Sequence, residues 1–254
     1  NITISSGAGV VWDDLVQWTV IKGFGGLENL SLIPGRVGAV PVQNIGAYGV
    51  EAGDIIEKVK AVSLVDGSIR EFNNKECRFG YRDSIFKSEL KGKYLVTNIW
   101  LRLIKKPSFN TIYRSLQEEI KKLGPVSLNT VRQAVINIRT SRLPDPAKIG
   151  NAGSFFKNPV ILKPAADALI EKYPQLPIYA EPSGGIKVAA AWLIDQCGWK
   201  GKKIGDAGVH DKQALVLVNH GRATGTEILN LSEEIRHSVS EKFGINLENE
   251  VEII

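Results

Sequence analysis

The chain has 254 residues, 43% apolar and 23% charged, with 25 glycines and 11 prolines. That balance excludes a disordered tail, a collagen-like repeat and a disulfide-stapled miniature fold, and the length fits one large or two modest domains. Thirty-two Lys and Arg against 27 Asp and Glu leave a net charge of +5. The basic residues are scattered without an aromatic-interleaved stripe, which favours an enzyme of anionic ligands over a nucleic-acid binder. No run approaches the roughly 20 apolar residues of a membrane-spanning helix.

The chain contains no methionine and opens on Asn1-Ile-Thr-Ile-Ser, a strand-like run with no leader pattern before it. We therefore expect its natural beginning to lie upstream of Asn1. Residues 11–22 put Trp12, Leu15, Val16 and Val20 on one helical face, with Gly23 just past the end. Eight glycines and two prolines (Pro34, Pro41) then fall between Gly23 and Gly53, with Gly9 just upstream. A loop of that length inside a domain is usually functional. Strand patterns follow at 55–65 and 69–72, joined by an Asp66-Gly67 turn, and at 94–104. Pro107-Ser108 marks a candidate boundary. Helical spacing returns at 113–123 and 128–142, where Val131, Val135 and Ile138 share a face. Leu143-Pro-Asp-Pro146 stops that helix, because a residue before proline is pushed out of the α region. Beyond it the pattern reads strand 154–161, helix 164–173, helix 188–197 closed by Gly198, strand 214–219, helix 226–243 closed by Gly244, and strand 245–254. In the last helix Ile228, Leu231, Ile235 and Val239 form a core-type stripe. Strands and helices intermix in both halves, which predicts two α+β lobes, 1–143 and 144–254.

Four segments carry chemistry-bearing residues. In Gly26-Leu-Glu-Asn-Leu through Ile33-Pro-Gly35-Arg-Val-Gly38-Ala-Val-Pro41-Val-Gln-Asn44-Ile-Gly46-Ala-Tyr48-Gly49, glycines bare the main chain for close approach of a phosphate or ring edge. Glycine spacing alone fits a tight structural loop better, and no P-loop pattern is present. In Cys77-Arg-Phe-Gly-Tyr81-Arg82-Asp83-Ser84-Ile-Phe-Lys87, Arg82 can fork onto a carboxylate or pair with Asp83, two readings of equal weight. In Gly150-Asn-Ala-Gly153-Ser154-Phe-Phe-Lys157-Asn158-Pro, no GxSxG and no His-Asp pair support a nucleophile, so Ser154 reads as a proton donor or a plain strand-start residue. Leu247-Glu-Asn-Glu250-Val offers a carboxyl for acid chemistry, or a solvated edge charge. Cys77 and Cys197 lie outside any CxxC and read as reduced, buried thiols of a cytoplasmic protein. His210, His220 and His237 have no metal-ligand spacing, so no metal is expected.

Taken together, GLENLSLIPG, PVQNIGAYGVE, ECRFGYRDSIFK, LPDP, GNAGSFFKNP, AAAWLIDQCG and QALVLVN resemble the UDP-N-acetylenolpyruvoylglucosamine reductase family in order and spacing, over nearly the whole chain. The Tyr113 segment and the GYRDSIFK form are similar to its type I class, which carries an extra substrate-covering loop. The resemblance implies an FAD-binding domain of the vanillyl-alcohol-oxidase (PCMH) type, residues 1–143, and a smaller α+β substrate-binding domain, 144–254. It implies reduction of the enolpyruvyl double bond with NADPH, giving UDP-N-acetylmuramate for peptidoglycan, in a cytoplasmic bacterial monomer with no nucleic-acid or membrane partner. The catalytic residues it implies are Arg82, Ser154 and Glu250; the substrate contacts are Tyr113, Asn158, Tyr179, Lys187 and Gln213. Arg142 stands in SRLPD, where the family carries a basic residue suited to phosphate. The flavin contacts implied are Ile33, Pro34, Gly35, Gly38, Pro41, Gln43, Asn44, Gly46, Ala47, Tyr48 and Gly49.

These residue types suit that reaction. Hydride addition at C3 builds negative charge across C2 and the carboxylate oxygens of the substrate. A permanent cation (Arg82) and an acid-form carboxyl (Glu250) stabilise charge where it develops. The enolate at C2 is a strong base, so a serine hydroxyl suffices as its proton donor. Two departures stand against the family pattern: no GxGSN pyrophosphate loop occurs, and the chain ends directly after LExEV. Both fit a chain lacking its N-terminal flavin subdomain. The alternative they raise is a chain that binds UDP-sugar without stable flavin and is catalytically silent.

Overall fold

Apolar residues alternate along residues 56–63 and 94–103, and β-branched side chains favour extended backbone there. In the computed structural model, which describes residues 1–181 and 184–253, these segments are the inner strands of an antiparallel sheet. The chain divides into two units, Asn1–Ser141 and Arg142–Ile254. The first runs β1 (Ile2–Gly7), α1 (Trp12–Ile21), β2 (Gly46–Ala47), β3 (Val50–Glu51), β4 (Ile56–Ser63), β5 (Ile69–Asn73), α2 (Asn74–Cys77), β6 (Tyr94–Leu103), α3 (Arg114–Leu123) and α4 (Leu128–Arg142). Its main sheet has the order β1-β6-β4-β5, with Ile4 opposite Leu101 and Val59 opposite Ile99.

The helical stripe read from α1 is buried: Trp12, Leu15, Val16 and Val20 are all at most 8% exposed, and the first three pack with Leu27, Leu30, Phe72, Ile99 and Leu101. Gly23 takes φ +74°, the left-handed conformation that closes a helix without Cβ strain. Leu116, Ile120, Val131, Val135 and Ile138 form a second apolar cluster where α3 meets α4, and Tyr48 and Tyr113 pack against it. Ser127 and Thr130 exchange hydrogen bonds at the start of α4, each satisfying a main-chain N–H. The glycine-rich stretch is not structureless. Short 3-10 turns at Glu28–Leu30, Val37–Ala39 and Ala52–Asp54 and the β2–β3 pair break it up.

The second unit runs β7 (Gly150–Ser154), β8 (Val160–Ile161), α5 (Lys163–Lys172), β9 (Ile178–Ala180), β10 (Ile186–Val188), α6 (Ala190–Gln196), β11 (Lys203–Ile204), β12 (Ala207–Val209), β13 (Val216–Asn219) and α7 (Gly225–Phe243). Its sheets have the orders β8-β10-β9 and β11-β12-β13-β7. Leu231, Ile235 and Val239 of α7 are buried with Phe155, Phe156, Leu193 and Ile194, and Ile228 packs at their edge. Thr224 and Glu227 form a reciprocal cap at the start of α7, and Gly244 ends it at φ +67°.

Three elements differ from the sequence reading. The strand expected over 154–161 is two short strands with residues 155–159 between them. There Phe155 N–H bonds to Leu215, Lys157 N–H bonds to Glu248, and Pro159 has no N–H to continue a ladder. The strand expected over 245–254 is, among the described residues, a single bridge between Asn249 and Phe156, and Ile254 lies outside them. The helix expected from Val188 starts at Ala190, because Ile186–Val188 pairs with β8 and β9. Cys77 is buried as expected, whereas Cys197 is only half-buried.

Candidate active site

In the first unit two separate motifs become one structure. Gly80 and Asp83 exchange main-chain hydrogen bonds across a tight turn, which holds Arg82 at φ +53°. The Arg82 Nη2 donates to the Gly46 carbonyl at 2.8 Å, and Ser84 Oγ donates to the Val42 carbonyl at 2.6 Å. The GYRDS turn is thus fastened to the middle of the glycine loop. Gly46 is required there: a Cβ would come within 2.9 Å of the Arg82 guanidinium and 3.0 Å of Glu51 Cγ.

The loop is braced by two buried asparagines. Asn44, 1% exposed, donates from Nδ2 to Glu51 Oε2 at 2.7 Å and to the Gly80 carbonyl at 2.9 Å, and its Oδ1 accepts from Gly53 N–H at 2.7 Å. Asn29 donates to the carbonyls of Tyr48 (3.0 Å) and Asn110 (2.8 Å). Asn44 and Tyr48 both have positive φ, +45° and +49°. The Asn44 side chain is spent on bonds within the loop and to the GYRDS turn. Tyr48 meets Tyr113 edge-on, ring centres 6.0 Å apart. Pro41 is buried, Ile33 packs on the core, Gln43 and Ala47 are half-buried, and Pro34 and Gly49 are exposed.

The residues present fit a flavin in one respect, the open space beside the main chain at two glycines. At Gly9 and at Gly35 (φ +115°) an added Cβ would meet nothing within 4 Å, so the space on that side of the main chain is open. A flat, hydrogen-bonding ring edge needs such a surface.

In the second unit Ser154, Asn158, Gln213 and Glu250 lie on or beside one extended segment, and Tyr179, Lys187 and Arg142 lie on other elements. Ser154 ends β7 opposite Val216, and its hydroxyl makes no hydrogen bond among the described residues. One residue on, Phe155 C=O accepts from Glu250 N–H at 2.8 Å. Ser154 and Glu250, 96 positions apart by their numbers, thus flank one main-chain contact. Gln213 stands at the same sheet end, its carbonyl accepting from Val216 N–H at 3.0 Å. Asn158 is partly committed: its Oδ1 caps α6 at Ala190 N–H, 2.9 Å. Lys187 faces Tyr179 across β9–β10, and its ammonium forms an ion pair with Glu181, a residue the sequence reading did not single out. Arg142 closes α4, exposed and with no ion pair among the described residues.

Sequence reasoning also passed over Asn29, Glu51 and Glu181. Asn and Glu beside glycines look like loop polarity, and only the fold shows which atoms they meet. Among the described residues no group of three His, Cys, Asp or Glu could hold a metal ion, and no helix is long and apolar enough to cross a membrane.

Comparison with known proteins matches a separate family at each end of the chain. Residues 145–254 match the family UDP-N-acetylenolpyruvoylglucosamine reductase, C-terminal domain, and residues 1–73 match the family FAD binding domain. The UDP-N-acetylenolpyruvoylglucosamine reductase of Chromobacterium violaceum is 52% identical over 254 residues, covering 98% of this chain and 74% of that protein. That of Amoebophilus asiaticus is 50% identical over 256 residues, covering 100% and 76%. The crystal structure of UDP-N-acetylenolpyruvylglucosamine reductase from Thermus caldophilus superposes with a TM-score of 0.68 at 27% identity, covering 98% of this chain and 71% of that one.

Proposed function

The chain belongs to the UDP-N-acetylenolpyruvoylglucosamine reductase family, and from that premise we propose that it reduces UDP-N-acetylenolpyruvoylglucosamine with NADPH to UDP-N-acetylmuramate. The first unit is assigned the flavin and the second the UDP-sugar. The reaction is assigned to the bacterial cytoplasm, with a monomer as the working unit, in the supply of peptidoglycan for growth, shape and division.

What supports this reading most is the contact between Phe155 and Glu250, which brings a hydroxyl and a carboxyl from distant motifs to one sheet end. FAD, when bound and reduced by NADPH, would supply the hydride that C3 of the enolpyruvyl group accepts. Arg82 is assigned to the substrate carboxylate, where its permanent charge offsets the negative charge that builds across C2. Ser154 is assigned the transfer of its hydroxyl proton to C2. Glu250 is assigned a hydrogen bond to the same developing charge from its acid form. Lys187 and Arg142 are assigned to the diphosphate, with Tyr113, Asn158, Tyr179 and Gln213 shaping the sugar and uridine contacts.

Anaerobic half-reactions test the central role. With FAD supplied, Ser154→Ala is expected to leave reduction by NADPH near the wild-type rate and to slow reoxidation by enolpyruvyl substrate by about 10²–10⁴-fold, the usual worth of a positioned acid. Equal loss in both half-reactions removes Ser154 from proton transfer.

A further inference from the structure

Leu32 immediately precedes Ile33-Pro34-Gly35 and has φ +57°, a conformation glycine takes freely and leucine rarely. Both of its main-chain polar groups are held by charged side chains. Its N–H donates to Asp13 Oδ1 at 2.6 Å, and its carbonyl accepts from Arg139 Nε at 3.2 Å. Asp13 receives both arms of the Arg132 guanidinium, at 2.7 and 2.8 Å, and the Arg132 side chain is only 12% exposed. Arg132 and Arg139 stand two turns apart on α4 and so share a face.

Trp12, beside Asp13 at the start of α1, holds two further points. Its indole N–H donates to the Leu30 carbonyl at 2.9 Å and its main-chain N–H to the Gly35 carbonyl at 3.0 Å. Leu30, Leu32 and Gly35 are thus pinned from the N-terminus of α1 and one face of α4, with Ile33 and Pro34 suspended between. Burial pushes the Asp13 carboxyl up, but the hydrogen bonds from Arg132 and Leu32 and the charges of Arg132 and Arg139 outweigh it and hold it below the usual carboxylate range. A strained residue persists only where its surroundings over-determine it, and such residues gather at ligand sites.

We propose that Asp13, locked by Arg132, and Arg139 are positioning residues that hold Leu32 left-handed and so preset Ile33–Gly35 for the flavin. The inference rests on the assignment of Ile33, Pro34 and Gly35 as flavin contacts.

The test is FAD titration of the apo-chain by flavin fluorescence, alongside hydrogen exchange at the Leu32 amide and thermal unfolding of the apo-chain. Asp13→Asn is expected to weaken FAD binding about tenfold, the worth of a hydrogen bond to a charged group, and to speed Leu32 exchange. Arg139→Gln leaves the Asp13–Arg132 pair whole and is expected to cause a smaller loss in the same direction. Adding Leu32→Gly to Asp13→Asn is expected to recover part of the affinity, because glycine takes the left-handed φ unaided. A rise in the dissociation constant that only tracks the unfolded fraction of the apo-chain, or a double variant that binds no better than Asp13→Asn, overturns the proposal. Wild-type binding of FAD matched by Asp13→Asn overturns it alone. A wild-type chain that takes up no FAD overturns the flavin assignment and this inference with it.

Discussion

Replacing Asn44 by alanine removes three hydrogen bonds at the point where the glycine loop, the GYRDS turn and the Ala52–Asp54 turn converge. The Gly53 N–H loses its partner in a place where Asn44 itself is 1% exposed, whereas the Gly80 carbonyl keeps its bond from the Asp83 N–H. The orphaned Gly53 N–H costs about 1–3 kcal/mol, and the lost bonds to Gly80 and Glu51 contribute about 1 kcal/mol each. Alanine must also adopt the φ of +45° that Asn44 holds, which adds roughly 1–2 kcal/mol. The expected loss is therefore about 4–7 kcal/mol of stability in the first unit. Asn44→Gly loses the same hydrogen bonds but not the conformational cost, so it is expected to lie about 1 kcal/mol above Asn44→Ala. Urea unfolding reports the total, and native-state hydrogen exchange of the β4 and β6 amides assigns it to the first unit. A loss below about 1 kcal/mol for Asn44→Ala would refute the argument that the side chain is spent on bracing the loop. Equal stability of the two variants would refute the conformational part.

Two further outcomes follow from buried titratable groups. Glu28 is 3% exposed, and burial pushes its carboxyl up against the opposing pull of the Glu28, Gly26 and Leu27 main-chain N–H groups. Its folded proton affinity exceeds the unfolded one, so its contribution is favourable at acid pH and is lost as pH rises through the folded value. Glu28→Gln keeps an acceptor for the Gly26 N–H; it is expected to melt higher than wild type at pH 7, with the gap closing towards pH 4. A gap independent of pH would show that the buried charge is not the cause. Burial pushes the Cys77 thiol up to about 12, so at pH 8 alkylation of Cys77 is expected only after unfolding. Burial also raises the half-buried Cys197, which is expected to react slowly in the folded chain. Peptide mass spectrometry after iodoacetamide treatment reads both, and native labelling of Cys77 ahead of Cys197 would contradict the packing argument.

Periodicity made the long elements legible because each buries one face. The stripes of α1 and α7 and the alternation in β4 and β6 needed no knowledge of the rest of the chain. The short hairpins β9–β10 and β11–β12 did not declare themselves. Two- and three-residue strands are too brief to show a period, and their stability comes from the partner they meet. The C-terminal segment read as a strand for the opposite reason. Ile245, Leu247 and Val251 alternate as a strand's would, yet the segment finds one bridging partner, Phe156, instead of a full edge. Alternation reports burial of one face and says nothing about where the N–H groups go.

The candidate site was legible in its residue types and illegible in its bracing. Glycine density marked residues 23–53, and it left open whether the loop served a ligand or only itself. Both halves of that choice have residues of their own in the structure. Gly9 and Gly35 have open space where a Cβ would stand, whereas Gly46 and Gly53 are glycines because Arg82 and Phe79 occupy the place of a Cβ. Asn44 falls inside the segment read as flavin-contacting, but its side chain supports the loop from within. No local pattern separates these cases, since the partners come from 36 positions away at Gly80 and Gly46–Arg82, and from 107 positions away at Leu32–Arg139. A loop that presents main chain to a ligand cannot spend all of it on its own turns, so part of its order comes from side chains of distant elements. This is why the residues most sensitive to mutation in the first unit are expected to include Asp13, Asn29, Asn44 and Arg139 as well as the glycines that drew attention to the loop.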